Sequence, residues 1–244
     1  MTASSTALSK LCRANLGVLS QKLGLLDAIS VKHGSDKAKE LFQTTCPVVQ
    51  ASIGQHFRHS LDHMELAALI AERPNDPTRS QLHYDLRQRG CPSENDIDAA
   101  TERILKLIHT LEVVSLIHGK EETTVANAIA GGVQQIPVQA HFMLSGDSKM
   151  EYALASSIGR ELGFAAHHAI HHMAMVKLIA IQTIGLWEED LPTGFGRAPS
   201  TLVFDAESSS SSSGGSSSSS SSTDAEDNAA PSQPTVQVSQ HKSS

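Results

Sequence analysis

The sequence predicts an all-α fold, a four-helix bundle, followed by a disordered tail rich in serine. The bundle is predicted because four segments carry apolar residues at helical spacing, and stretches with proline and glycine separate them. The tail is predicted because residues 208–222 are serine broken only by two glycines, and such a segment buries too little to offset its conformational entropy. We therefore expect a folded domain over residues 1–206 and a tail over residues 207–244.

The first two helices follow from apolar spacing and from a capping signal. Between residues 7 and 32, leucine and other apolar residues recur at spacings typical of one helical face. Ser52 followed by Gln55 has the form of a capping box, so a second helix begins there and ends near Arg73. The residues between 74 and 92 carry turn signals and are predicted to be a connection.

The third and fourth helices flank a segment that lacks helical periodicity. Ser93 can cap the third helix, because a serine hydroxyl accepts a hydrogen bond from the first turn. Residues 135–144 have an extended pattern, which is compatible with a short β-hairpin to residues near 150–154. The fourth helix is expected to begin at Ser156 or Ser157.

Two clusters of histidine lie on the second and fourth predicted helices. Residues three or four apart share a helix face, so each helix presents several imidazoles together. Neutral imidazoles suit divalent zinc, nickel or iron, whereas packing them together without a metal would bury polar nitrogens that need partners. The clusters therefore predict a shared metal site, whose ligands come from His56, His59, His63, His167, His168, His171 and His172.

Composition excludes several other classes of protein. The three cysteines are far apart and have no Cys-x-x-Cys spacing, which argues against a disulfide framework or a thiolate zinc site. Acidic residues outnumber basic ones, 26 to 19, and the basic residues are scattered, which argues against nucleic acid as the main partner. No secretory signal or membrane-spanning segment is visible. These features lead us to expect a cytoplasmic protein.

Three stretches of the chain resemble the DinB-like family of metal-binding proteins. These are residues 52–63 with the first histidine cluster, residues 159–172 with the second, and residues 195–201. The resemblance covers roughly residues 8–205. It implies a four-helix bundle of up-down-down-up connectivity, in which the long connection after the second helix serves as a crossover.

The resemblance also implies a ligand set for the metal. One histidine of the second helix and a His-x-x-x-His pair of the fourth hold a divalent ion in that family. These positions correspond to His59, His168 and His172, with His56, His63, His167 and His171 as alternates. Zinc is the default metal, with nickel and iron as the other candidates.

Three histidines leave at least one coordination position open, which is typical of a catalytic metal site. The resemblance implies a metal-dependent transferase, isomerase or hydrolase that acts on a thiol or another small polar substrate. Asp62 and Glu161 are candidates for an acid or base group, although a solvated or helix-capping carboxylate is the favoured role of each. The alternative is a non-catalytic bundle that binds a metal or a protein partner. Self-association into a homodimer is left open.

Overall fold

The computed structural model describes residues 6–86, 89–118, 132–146 and 150–212, without the side chains of 209–212. The described structure is mostly helical and contains a small three-stranded sheet. Among these residues, no helix is both long enough and apolar enough to cross a membrane. The chain divides into two units, residues 1–204 and residues 205–244.

The four predicted helices are present as the longest helices of the described chain. Shorter helices precede or follow them, and a π-helical turn, Ala180–Ile184, continues the last of the four. Single 3-10 turns occupy Pro77–Arg79, Val133–Gln135 and Glu188–Asp190. The α-helices are α1 (Ala7–His33), α2 (Ser35–Gln43), α3 (Ile53–Glu72), α4 (Pro92–Asn95), α5 (Ile97–His118), α6 (Ile158–Ile179) and α7 (Pro199–Ser212).

The start of the third predicted helix differs from the expectation. Ser93 lies inside the short helix α4, and α5 begins only at Ile97. Asp96 separates the two helices because its backbone is extended, with φ −127° and ψ 120°. Its carboxylate accepts a hydrogen bond from the backbone N–H of Asp98 at 2.9 Å. Asp96, not Ser93, therefore marks the start of the long helix.

The predicted hairpin is confirmed, and it is part of a larger sheet. Strands β2 (Pro137–Phe142) and β3 (Tyr152–Ser157) pair antiparallel. A third strand, β1 (Gln81–His83), pairs parallel with β2 and places His83 opposite His141. Strand β1 lies in the predicted connection, where three residues are too few to show an alternating pattern.

Helix α7 extends into the segment predicted to be a disordered tail from residue 207. It reaches Ser212, so its last residues are serines rather than members of an apolar face. Helix propagation adds one hydrogen bond for each residue fixed, and serine is tolerated in a helix at modest cost. The remainder of the predicted tail, residues 213–244, lies outside the described residues.

The four long helices pack around one apolar core. Helix α3 contacts both α5 and α6, and α1 contacts the same two helices. A capping box fixes the start of α3, as the sequence predicts: the Ser52 hydroxyl accepts from Gln55 N at 3.1 Å, and the Gln55 side chain accepts from Ser52 N at 3.0 Å. The core includes fully buried Leu25, Phe57, Leu111 and Val176.

Gly54 allows the first turn of α3 to pack closely against α4. A Cβ atom there would collide with the backbone carbonyl of Glu94 and lie 2.8 Å from the Phe42 ring. We expect Gly54→Ala to lower the free energy of unfolding by about 2–3 kcal/mol, because the backbone must move to admit the methyl group. Urea denaturation measures this change.

Gly17→Ala is the matched control for Gly54→Ala. Gly17 lies in α1, and nothing comes within 4 Å of the position that its Cβ would occupy. Because alanine has the higher helix propensity, we expect this variant to be more stable than the wild type by up to about 1 kcal/mol. Equal effects of the two substitutions would contradict a close approach at Gly54.

Candidate metal centre

Three histidines of the two predicted clusters converge between α3 and α6. His59 comes from α3, and His168 and His172 come from successive turns of α6. One ring nitrogen of each lies within 4.8 Å of the others, an arrangement that could hold a metal ion. All three side chains are partly buried. The structure therefore brings together the three histidines that the family resemblance selected.

The distances between the rings approach those of a coordinated set. His59 Nε2 lies 3.1 Å from His168 Nε2. A tetrahedral zinc ion with bonds of about 2.0–2.1 Å separates its nitrogen ligands by about 3.3 Å. The ring centroid of His172 lies 4.5 Å from those of both His59 and His168. These separations are compatible with three nitrogens around one ion.

The four alternate histidines take two different positions. His56 and His63 lie inward on α3: His56 Nδ1 is 2.8 Å from His172 Nδ1, and the His63 ring is 4.3 Å from that of His168. His167 and His171 are exposed on α6. The inner pair is thus close enough to orient or replace a ligand, whereas the exposed pair is turned towards solvent.

The electrostatic environment keeps His172 and His56 neutral. Burial, reinforced by His59, His168 and the other nearby bases, lowers the pKa of His172 to about 2. Burial, with a smaller contribution from the charge of Lys22, lowers the pKa of His56 to about 4. A neutral imidazole is the form that binds a metal, because protonation occupies the lone pair. His172 is therefore a neutral, metal-competent donor at neutral pH.

Lys22 is an unexpected charged neighbour of this site. It is fully buried in α1, donates a hydrogen bond from Nζ to Ser60 Oγ at 2.7 Å, and lies 4.1 Å from the centroid of the Phe57 ring. Burial lowers the pKa of Lys22 to about 7. Lys22 was not predicted from the sequence, although its place between Leu19 and Leu26 on the apolar face of α1 was a usable signal.

Asp62 belongs to an ion-pair network on the side of α3 that faces α5. Its carboxylate binds Arg58 at 2.9 Å and Arg103 at 2.7 Å. Arg103 also binds Glu65 at 2.7 Å, and Arg58 binds Glu94 at 2.9 Å. These pairs tie α3 to α4 and α5, which holds the histidine-bearing face of α3 in place.

Glu161 is completely buried and is held by three side chains. Tyr84 donates to one carboxylate oxygen at 2.6 Å, and Arg160 and Ser156 donate to the other, Arg160 at 2.7 Å. The Tyr84 ring in turn stacks on His63, with centroids 4.5 Å apart and planes 14° from parallel. Burial and the adjacent Glu161 carboxylate raise the pKa of Tyr84. Glu161 thus supports the histidines through Tyr84.

A cleft of about 470 Å³ is lined by residues of α3, of α5 and of the segment around β1. Its lining includes Asp62, Arg103, His83 and Tyr84, but none of the three converging histidines. Tyr84 forms the wall between this cleft and His63. The Tyr84 ring therefore lies between the cleft and the histidine cluster.

Tyr84→Phe is expected to lower the free energy of unfolding by about 2 kcal/mol. The substitution removes a buried hydrogen bond to a carboxylate and leaves one Glu161 oxygen without that donor. Urea denaturation measures the loss. Tyr152→Phe is the matched control, since Tyr152 is 47% exposed and should tolerate the change. A Tyr84→Phe protein as stable as its control would show that the bond contributes nothing.

Comparisons with known proteins give little information about the family of this chain. No protein-family model and no solved structure match it. A protein of Rhizopus delemar named FK506-binding protein 5 is 36% identical to it over 129 residues. That match covers 53% of this chain and 29% of the relative, so the chain spans less than a third of that relative's length.

These comparisons correct the family resemblance. Assignment to the DinB-like family is wrong, because no family model matches the chain and the relative that was found carries an unrelated name. The resemblance rested on three short stretches, two of them with histidines at helical spacing, and such short patterns recur in many unrelated proteins. The metal-site hypothesis now depends on the geometry of the histidines alone.

Proposed function

We propose that the protein binds a divalent metal ion through His59, His168 and His172 and uses it to act on a thiol or another small polar substrate. The observation that carries this proposal is the convergence of three ring nitrogens from α3 and α6. The lowered pKa of His172 supports it, because it keeps that donor neutral at neutral pH. Nitrogen donors suit zinc, nickel or iron, and zinc is our choice.

Partial exposure of the three histidines supports a site that is open to substrate. A closed structural zinc site has four protein ligands, whereas a set of three leaves a coordination position for water or substrate. A divalent metal held there would lower the pKa of a bound water or thiol and so supply a nucleophile at neutral pH. The nearby cleft offers room for a small substrate.

Up-down-down-up connectivity of the four long helices is part of the proposal. Helices α3 and α6 are antiparallel, because His56 near the start of α3 meets His172, whereas the later residue His63 meets the earlier residue Phe164. Asp62 of α3 meets Arg103 of α5, and farther along both helices Leu69 lies beside Lys106 and Thr110, which favours a parallel pair there. In this arrangement β1 and α4 belong to the crossover between α3 and α5.

A non-catalytic metal-binding protein is the second candidate. Its support is the state of the two carboxylates that could serve in acid-base chemistry. Asp62 is bound by two arginines, and Glu161 is bound by Tyr84, Ser156 and Arg160. A carboxylate that is engaged in this way contributes to structure more readily than to proton transfer. In that case the ion would stabilise the packing of α3 against α6.

Cobalt substitution distinguishes the two candidates. The full chain, without a histidine tag, is stripped with a chelator, loaded with Co²⁺ and titrated with 2-mercaptoethanol. An open site should give a new sulfur-to-cobalt charge-transfer band and altered visible bands. The same changes are expected for His167→Ala, whose side chain is exposed. A spectrum that does not respond to the thiol, together with unfolding on metal removal, would favour the non-catalytic protein.

A further inference from the structure

We propose that His83, His141 and Glu151 form a second divalent-metal site, on the three-stranded sheet. One ligand atom from each of the three residues lies within 4.8 Å of the other two. Two imidazoles and one carboxylate are a donor set that suits zinc or ferrous iron and leaves positions open for solvent. This site shares no residue with the centre between α3 and α6.

Strand register builds this second group. His83 and His141 are paired residues of the parallel strands β1 and β2, and their rings stack with centroids 4.3 Å apart. Glu151 immediately precedes β3, which pairs with β2. Its carboxylate contacts His83 Nδ1 at 2.6 Å. Strands β1 and β2 and the residue immediately before β3 therefore form one cluster.

Strand alternation separates the second group from the first. Successive side chains of a strand point to opposite faces, so His83 and Tyr84 diverge, as do His141 and Phe142. The Tyr84 and Phe142 rings stack on each other, 5.0 Å apart, on the face that meets His63. The stacked pair of His83 and His141 consequently lies on the other face of the sheet.

Two buried polar atoms in this group lack a hydrogen-bond partner in the described structure. They are His141 Nε2 and Glu151 Oε1. Leaving such an atom unsatisfied costs about 1–3 kcal/mol, and more when the group is charged. An ion pair between His83 and Glu151 explains only the contact at Oε2 and leaves both atoms unsatisfied. A cation bound between the three side chains would satisfy both.

Solvent has access to the proposed site through His83. That side chain is 37% exposed, whereas Glu151 is only 13% exposed. His83 also lines the 470 Å³ cleft, which gives an ion a route from solvent. The Glu151 carboxylate and the His141 ring are thus partly buried behind the more accessible ring of His83.

Counting bound zinc tests the second site independently of the first. The chelator-treated full chain is dialysed against buffered Zn²⁺, and the metal content of each variant is measured by elemental analysis. We expect about two zinc ions per chain for the wild type and about one for Glu151→Gln. The combined variant His59→Ala, His168→Ala and His172→Ala should also retain about one ion, because the second site remains. Glu112→Gln and His109→Ala, at exposed positions of α5, are the matched controls and should retain both ions.

A variant that misfolds could also lose the ion at the second site, so the fold of each variant is checked. His83→Gln changes a partly exposed side chain, so it should preserve the fold and also reduce the content to one ion. Circular dichroism monitors the helical content of each variant. The second site is overturned if His83→Gln and Glu151→Gln bind as much zinc as their controls. It is also overturned if the combined first-site variant binds none.

Discussion

His168→Ala is expected to lower the affinity for Zn²⁺ by at least about 100-fold, whereas His167→Ala leaves the affinity unchanged. Removing a neighbour that only orients a ligand typically costs 10–100-fold, so removing a ligand should cost more. His168 Nε2 faces His59 at 3.1 Å, but the adjacent His167 is exposed. Each variant is made in the Glu151→Gln background, so that competition with a chromophoric chelator measures the affinity of the site between α3 and α6 alone.

Further substitutions in the same assay separate ligands from their neighbours. His59→Ala and His172→Ala should behave like His168→Ala, and His171→Ala should behave like His167→Ala. His56→Ala should have an intermediate effect of about 10-fold, because His56 contacts His172 but is not among the three converging donors. An affinity that depends on the exposed histidines and not on His168 would refute the assigned ligand set.

Lys22→Met is expected to raise the free energy of unfolding by about 2–3 kcal/mol at pH 7. Lys22 is fully buried, and its lowered pKa means that the native state disfavours the charged amine. Methionine has a similar length and carries no charge, so it avoids this penalty. Part of the gain is offset because the hydrogen bond to Ser60 is lost. Urea denaturation of the metal-free protein measures the change.

The effect of Lys22 should depend on pH in a predictable direction. Its pKa is 10.5 in the unfolded chain and about 7 in the folded one. Between these values the unfolded state binds a proton that the native state does not, so the stability of the wild type rises with pH over this window. The shift in this pKa raises the free energy of unfolding of the wild type by about 3–4 kcal/mol between pH 7 and pH 10.5. The advantage of Lys22→Met should therefore shrink as the pH rises from 7 towards 10.5.

Lys10→Met provides the control for Lys22→Met. Lys10 lies on the same helix but is exposed, so its replacement should change stability by less than about 0.5 kcal/mol. If the stability difference between wild type and Lys22→Met were independent of pH from 7 to 10.5, a lowered pKa at Lys22 would be refuted. A destabilised Lys22→Met would show that the contacts to Ser60 and Phe57 outweigh the burial penalty.

Local signals explain why much of the fold could be predicted from the sequence. The Ser52 capping box and the apolar spacing of α1 act within a few residues, so both can be recognised without knowledge of the tertiary structure. Helical spacing also pairs His168 with His172 and His167 with His171 on α6, but it leaves the two pairs equivalent. Only the family resemblance selected His168 and His172 as the ligands.

Long-range pairing explains what the sequence could not predict. The partnership of His83 with His141 depends on the register of two strands that are separated by all of α5. A three-residue strand such as β1 carries no recognisable pattern, and Glu151 becomes a neighbour only because β3 folds back on β2. The burial of Lys22 likewise depends on how α1 packs against α3.

The parallel pairing of β1 with β2 has a consequence for the order of folding. Its partners are distant in sequence, so closing the loop between them costs entropy that local helix formation does not. The sheet is therefore expected to form after the helices, and His83 and His141 would meet only late in folding. Stabilising interactions that are absent from the folding transition state slow unfolding and leave the folding rate nearly unchanged. An ion on the sheet would accordingly lengthen the lifetime of the native state without accelerating its formation.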